Sequence, residues 1–212
     1  MKFYLFLFLS ISAYAAPKDS LNINLVKVPN GTGFVYKGKH KYIITNSHVC
    51  ATWNSHTIVV DSHHSLFRAS IVKDAPKEDL CALSAITSIP GLVIAKVFDF
   101  KERLYTEGFP NNKIMYSEGI IRDIISFSHI LSKENLNHCP IGYEEGTLGL
   151  TCFIVHFNYL TSLFSQGGSS GSPIINYKNE LVGVMESFDP NDARNGGIVM
   201  FKDLVEFVKG LQ

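Results

Sequence analysis

The sequence predicts an all-β fold closed by one helix. Three observations carry that prediction: apolar runs of only three or four residues, turn residues between them, and a helical period confined to the end of the chain. A first set of runs comprises Leu25–Val28, Gly33–Tyr36, Tyr42–Thr45, Thr57–Val60 and Ala69–Val72. A second set comprises Leu92–Ala95, Gly119–Ile121, Cys152–Val155, Pro173–Ile175 and Leu181–Val184, again too short for helices and bounded by Gly, Asn or Pro. From Asp203 to Leu211, Leu204, Val205, Phe207, Val208 and Leu211 recur at helical spacing, so one apolar face can dock on a barrel. The stretch from Ser128 to Gly149 is the most polar and irregular, and it reads as a surface insertion.

With 212 residues, 46% hydrophobic and 18% charged, the chain can build one globular unit or two small fused subdomains around a substantial core. Lys plus Arg equal Asp plus Glu at 19 each. That balance leaves no basic footprint for a nucleic acid or an anionic membrane, and neither partner is expected.

Residues 1 to 15 stand apart. Lys2 supplies a positive start, Phe3 to Ile11 is nearly all apolar, and Ala13-Tyr14-Ala15 puts small residues where a signal peptidase reads. The apolar run is shorter than the roughly 20 residues that span a bilayer. A signal peptide cleaved after Ala15 is expected, giving a secreted or periplasmic protein that is soluble once cleaved.

The strongest local signal is Gln166-Gly167-Gly168-Ser169-Ser170-Gly171-Ser172-Pro173, a glycine-rich turn leading into Ile174-Ile175. Glycines there allow positive φ and close approach to a substrate, and the amides of Gly168 and Ser170 can point at a developing oxyanion. By itself such a cluster is more often an ordinary loop. A serine hydroxyl needs a base to remove its proton, and His48, after the run Tyr42 to Thr45, is the candidate. The third member is a carboxylate that fixes the imidazole tautomer; Asp79, at the entry to Leu80-Cys81-Ala82-Leu83, suits that place. Metal chemistry is not expected, because no C-x-x-C spacing exists and the eight histidines are scattered apart from His63-His64.

Taken in order, Gly31-Thr32-Gly33-Phe34, Thr45-Asn46-Ser47-His48-Val49, Asp79-Leu80-Cys81-Ala82-Leu83 and Gly168-Ser169-Ser170-Gly171-Ser172-Pro173 resemble motifs of chymotrypsin-like serine proteases. His48, Asp79 and Ser170 lie 31 and 91 residues apart in the order that family uses. Bacterial members are nearest in look: the Thr-Asn-x-His-Val form is similar to HtrA-type proteases and to glutamyl endopeptidases. Glu107-Gly108-Phe109-Pro110 and Gly196-Gly197-Ile198-Val199 are further matches. The resemblance implies two antiparallel six-stranded β-barrels with a C-terminal helix, the N-terminal barrel over about residues 21–97 and the second barrel with its helix over about 98–212 of a protease domain spanning 16–212. It implies a serine endopeptidase with the triad His48, Asp79 and Ser170, an oxyanion hole from the Gly168 and Ser170 amides, no cofactor, a polypeptide substrate and a monomeric state. Phe164 and Ser165 fall at the specificity pocket, and Glu186, Ser187 and Phe188 at the strand that pairs with substrate.

Departures from the family narrow the expectation. Ser169 stands where trypsin-like zymogens carry the aspartate that captures a freed N-terminus, so activation through that salt bridge is not expected. Met185 replaces the histidine with which glutamyl endopeptidases read a substrate glutamate, and Phe164 replaces the acidic pocket floor that selects Lys or Arg. Four cysteines allow three pairings. Cys139 with Cys152, across a loop and the strand after it, and Cys50 with Cys81, both beside proposed triad residues, is the favoured set. The competing reading is a protease-fold binding module without activity.

Overall fold

The computed structural model describes residues 21, 24–51, 53, 56–61, 65–84, 86–132, 138–139, 144–146, 149–189 and 191–211. The expected signal peptide and its cleavage site lie outside them, as do His63 and His64. Pairing begins locally. Strand β1 (Leu25–Val28) turns through Pro29 and Asn30, the latter at φ 64°, into β2 (Gly31–Lys37). Proline presets the first central position and asparagine tolerates the positive φ of the second, the type II turn pattern. Next come β3 (Lys41–Thr45), β4 (His56–Asp61), β5 (Leu66–Ala75) and β6 (Leu80–Ser84). They close a barrel in the order β1-β2-β3-β6-β5-β4, with β1 returning to β4 through Val26 opposite Asp61. Closure removes both sheet edges.

Among the described residues the second half carries eight strands: β7 (Leu104–Gly108), β8 (Met115–Gly119), β9 (Ile121–Ser132), β10 (Glu144–Glu145), β11 (Thr151–Thr161), β12 (Pro173–Ile175), β13 (Leu181–Asp189) and β14 (Asp192–Val199). Their order is β10-β11-β14-β13-β12-β7-β8, with β9 pairing β11. The all-β architecture with its terminal helix therefore holds, while the second sheet differs from the six-stranded barrel expected. The extra strands arise because β9 and β11 run on together from Ile121 opposite Thr161 to Ser132 opposite Thr151, and β10 adds to the far end. Ser128 to Ser132, expected in an irregular insertion, thus belong to a strand. Ile124, Ile130, Val155 and Phe157 are exposed along this ribbon, and its far end is tied by the Cys139–Cys152 disulfide.

Leu92–Ala95 reads as a strand in sequence but folds otherwise. It makes only isolated bridges, Leu92 with Tyr36 and Ile94 with Leu181. Leu92 exchanges backbone bonds with Val35 and Lys37, while Leu181 receives and donates through Ala95 and Val93. An apolar connector that buries Leu92 and Ala95 between two sheets has the composition of a strand, and here its backbone groups are satisfied by one partner on each side.

The C-terminal helix spans Phe201–Lys209 and buries Leu204, Phe207 and Val208, with Leu211 just beyond. Each such side chain contributes about 1.5–3 kcal/mol when fully buried. These residues share one core cluster with Leu25, Phe34, Ile44 and Leu80 of the first barrel and Ile175, Leu181 and Val184 of the second sheet. Lys73, on β5, donates through Nζ to the Phe207 carbonyl at 2.6 Å and lies 4.5 Å from the centroid of its ring. The two halves and the helix consequently meet in this shared cluster, while each half keeps a further cluster of its own.

Candidate active site

His48 sits in a single helical turn, Ser47–Cys50, directly after β3. Asp79 follows the 3-10 turn Pro76–Glu78 and precedes β6. Because β3 and β6 are neighbours, with Thr45 opposite Cys81, the two side chains emerge at the same end of the barrel. The Asp79 carboxylate grips His48 twice: Oδ1 accepts the backbone N–H of His48 at 2.9 Å and Oδ2 lies 2.8 Å from Nδ1. Two-point contact fixes both the position and the tilt of the ring.

Asp79 is itself held. It is 1% exposed and adopts φ 51°, ψ 44°, a left-handed conformation that costs a non-glycine residue about 1–2 kcal/mol. Asn46, fully buried, donates through Nδ2 to the Asp79 carbonyl at 2.9 Å and the Asp79 N–H donates to Pro76 at 3.2 Å. The Cys50–Cys81 disulfide ties the helical turn to β6 two residues after Asp79. A second carboxylate lies close by: burial pushes the Asp74 carboxyl above its ordinary range, the charge of Asp79 adds to the rise, and a hydrogen bond from Ser47 opposes it.

Ser170 belongs to the other half of the chain, in the turn before β12. Gly168 at φ +94° and Gly171 at φ +85° give that turn its shape. A Cβ on Gly171 would come 2.0 Å from the Thr32 carbonyl oxygen and 2.3 Å from Thr45 Oγ1, so glycine alone fits against the first barrel. The turn is anchored across the interface, where the Thr32 N–H donates to the Ser170 carbonyl at 2.8 Å. The Ser170 hydroxyl donates to the Glu186 carbonyl at 3.0 Å.

Two peptide orientations bear on anion binding. The Gly167 carbonyl accepts the Asn111 N–H at 3.0 Å, and the Ser169 carbonyl accepts the Ser172 N–H at 3.0 Å and its hydroxyl at 2.6 Å. In a trans peptide the N–H points opposite to the C=O, so the Gly168 and Ser170 amides both face away from these partners. Beneath the turn, Phe164, Ser169, Ser172 and Met185 help line a cavity of about 10 Å³, room for about one water molecule.

The remaining sequence candidates fall around this turn. Phe164 is half-buried and donates its N–H to Ser117 at 2.8 Å. Ser165 is buried and donates its N–H to Ala193 at 2.7 Å. Glu186, Ser187 and Phe188 lie on β13; Ser187 and Phe188 pair with Gly197 and Gly196 of β14, and β12 stops pairing at Val184. The opposite edge of Glu186–Phe188 therefore has no strand partner among the described residues. The side chains of Ser187 and Phe188 lie outside the description, while that of Glu186 is buried and accepts a hydrogen bond from Asn158 Nδ2. Among the described residues no cluster of metal-ligating side chains occurs. The sequence assigns no role to Thr32, Asn46, Asp74 or Asn111; Thr32 and Asn46 lie inside the quoted motifs and Asn111 directly after one, while Asp74 carries no such signal.

Solved structures share the fold. The Rv3671c protease of M. tuberculosis in its active form matches with TM-score 0.69 at 20% identity, over 91% of this chain and 82% of that one. A serine endoprotease from Yersinia pestis matches with TM-score 0.68 at 19% identity, over 94% and 66%. The HtrA-type protease AlgW with a decapeptide matches with TM-score 0.62 at 18% identity, over 84% of this chain and half, 50%, of that one. The family described as trypsin-like peptidase domain matches residues 31–184, a span that holds His48, Asp79 and Ser170 and exceeds half of the chain. The protein accordingly belongs to the trypsin-like peptidase domain family and is a serine peptidase.

Proposed function

We propose that the protein is a secreted or periplasmic serine endopeptidase that cleaves polypeptides through an acyl-enzyme, with Ser170 as nucleophile, His48 as general base and acid, and Asp79 as the orienting carboxylate. The observation that supports this reading is the two-point hold of Asp79 on His48, in a chain whose Ser170 sits in a glycine turn anchored to the same barrel through Thr32. Two disulfides favour an oxidising compartment, and no described helix is long and apolar enough to cross a membrane.

In the resting arrangement the Ser170 hydroxyl donates to the Glu186 carbonyl. A substrate laid along the open edge of Glu186–Phe188 offers its own backbone N–H to that carbonyl. The hydroxyl is then released to rotate about χ1 toward His48 Nε2, which takes its proton as Oγ attacks the scissile carbonyl. The Gly168 and Ser170 N–H groups receive the oxyanion, His48 returns the proton to the leaving amine, and water cleaves the ester by the same route. No metal or organic cofactor enters these steps.

The test is digestion of a mixed peptide library near pH 8, above the ordinary imidazole range, by wild type and Ser170→Ala side by side. Cleavage by wild type alone supports the nucleophile. No cleavage by either folded protein sinks the reading in favour of an inactive binding module.

A further inference from the structure

Thr32 stands at the point where three loops meet. It lies on β2 of the first barrel, is fully buried, and uses every polar group it has. Its hydroxyl accepts the Phe109 N–H at 2.9 Å and donates to the Gly168 carbonyl at 2.8 Å. Its backbone N–H donates to the Ser170 carbonyl at 2.8 Å, and its own carbonyl accepts the Thr45 hydroxyl at 2.7 Å. A hydroxyl that accepts on one side and donates on the other links the two bonds into one directional chain. That chain runs from Phe109, through Thr32, to Gly168.

Phe109 opens the loop whose next turn presents the Asn111 N–H to the Gly167 carbonyl at 3.0 Å. The same loop presses on the nucleophile turn, since a Cβ on Gly168 would lie 2.7 Å from the Phe109 carbonyl oxygen. Thr32 thus fixes the distance between the loop that turns the Gly167–Gly168 peptide and the glycine whose N–H that peptide carries. Glycine has little intrinsic resistance to rotation, so the orientation has to be imposed from outside.

We propose that Thr32 is a positioning residue for the oxyanion hole, its hydroxyl holding the Phe109–Asn112 loop and the Gly168 peptide in the register that aims the Gly168 N–H at the substrate carbonyl. The proposal rests on Ser170 being the nucleophile. It also supplies a fixed scaffold for the nucleophile turn in a chain where Ser169 occupies the place of an N-terminus-capturing aspartate. Removal of the hydroxyl leaves the half-buried Phe109 N–H and Gly168 carbonyl without each other's bridge, and rotation of the glycine peptides is the easiest relief.

The experiment compares wild type, Thr32→Val and Thr32→Ser on one peptide substrate selected by library digestion. Thr32→Val keeps the shape and loses the hydroxyl; loss of one hole donor costs about 10²–10³-fold in kcat, so partial misaiming predicts a fall of about tenfold to a hundredfold. KM stays within about twofold, because the substrate strand pairs elsewhere. Fluorophosphonate labelling slows in parallel, inhibition by a peptide aldehyde weakens by the same factor, and the acid limb of the pH–rate profile stays where it is, since His48 and Asp79 are untouched. Thr32→Ser restores turnover to within about threefold of wild type, an outcome that packing alone would not give. Wild-type kcat and labelling in folded Thr32→Val overturn the inference while leaving the protease reading intact. A wild type that neither cleaves nor labels overturns both. Should Thr32→Val fail to fold, Thr32→Ser against Thr32→Cys decides, because a thiol is a weak donor: equal turnover overturns the inference, and loss in Thr32→Cys alone supports it.

Discussion

Replacing Cys50 and Cys81 together by alanine tests how the His48–Asp79 pair is held. The bridge closes a loop of separation 31, for which loop-closure entropy predicts about 3.7 kcal/mol of stabilisation at 25 °C; the separation of 13 at Cys139–Cys152 predicts about 2.9 kcal/mol. In a domain of this size about 3.7 kcal/mol corresponds to a fall in Tm of roughly 7–15 °C. Both sulfurs of the first bridge belong to buried residues, so cavity costs add to its loss. Activity separates the two bridges further. The first joins the turn carrying His48 to the strand after Asp79, whereas the second lies at the end of the β9–β11 ribbon. Thermal unfolding and kcat/KM at 25 °C are measured for each double-alanine variant. The expected pattern is a larger loss of Tm and a fall of about tenfold or more in kcat/KM for the first, with unchanged kcat/KM for the second. A Cys50–Cys81 variant losing under about 1 kcal/mol, with wild-type kcat/KM, refutes the claim that this bridge restrains the chain and the pair.

Three other outcomes follow from the same geometry. Asp79→Asn keeps the fold and lowers kcat by about 10⁴-fold, since an amide holds the wrong imidazole tautomer; steady-state kinetics on folded protein checks it. Gly171→Ala destabilises by more than about 3 kcal/mol, because the new methyl meets the Thr32 carbonyl at 2.0 Å in a turn at φ +85°, and denaturant unfolding reads the loss. Asp74 has its folded pKa raised by burial, so its contribution to stability is fully present below the unfolded carboxylate range and is lost as pH rises through the raised value. Asp74→Asn accordingly raises Tm at pH 7 and leaves it unchanged near pH 3; an equal gain at both pH values would contradict the electrostatic cause.

The all-β character, the terminal helix and the neighbourhood of each site residue were legible in local pattern. Runs such as Leu25–Val28 and Pro173–Ile175 coincide with β1 and β12 because turn residues on both sides leave them one conformation. Leu92–Ala95 reads as a strand because Leu92 and Ala95 are buried, yet the segment pairs only through isolated bridges. Strands β7, β8 and β14 carry Thr, Glu, Ser, Arg and Asn among few apolar residues, so alternation was faint and only their neighbours in space define them. The helix was read from its apolar spacing, yet begins at Phe201, two residues earlier, where Met200 supplies the extended entry. Thr32 and Asn46 were visible only as letters within motifs. Their roles depend on carbonyls 136 and 33 residues away, which no window along the chain contains.

The connector at residues 92–95 gives the two halves a shared fate. Its amides exchange bonds with β2 on one side and the start of β13 on the other, while His48 and Asp79 stand on one half and Ser170 on the other. Parting of the halves would separate the proposed triad members while leaving the strand pairing within each half in place. On heating, turnover would therefore vanish before circular dichroism changes, and the amides of Lys37, Leu92, Ala95 and Leu181 would lose hydrogen-exchange protection as a group. The enzyme is then a reporter of its own docking: each productive encounter samples only those molecules whose halves are joined at that instant.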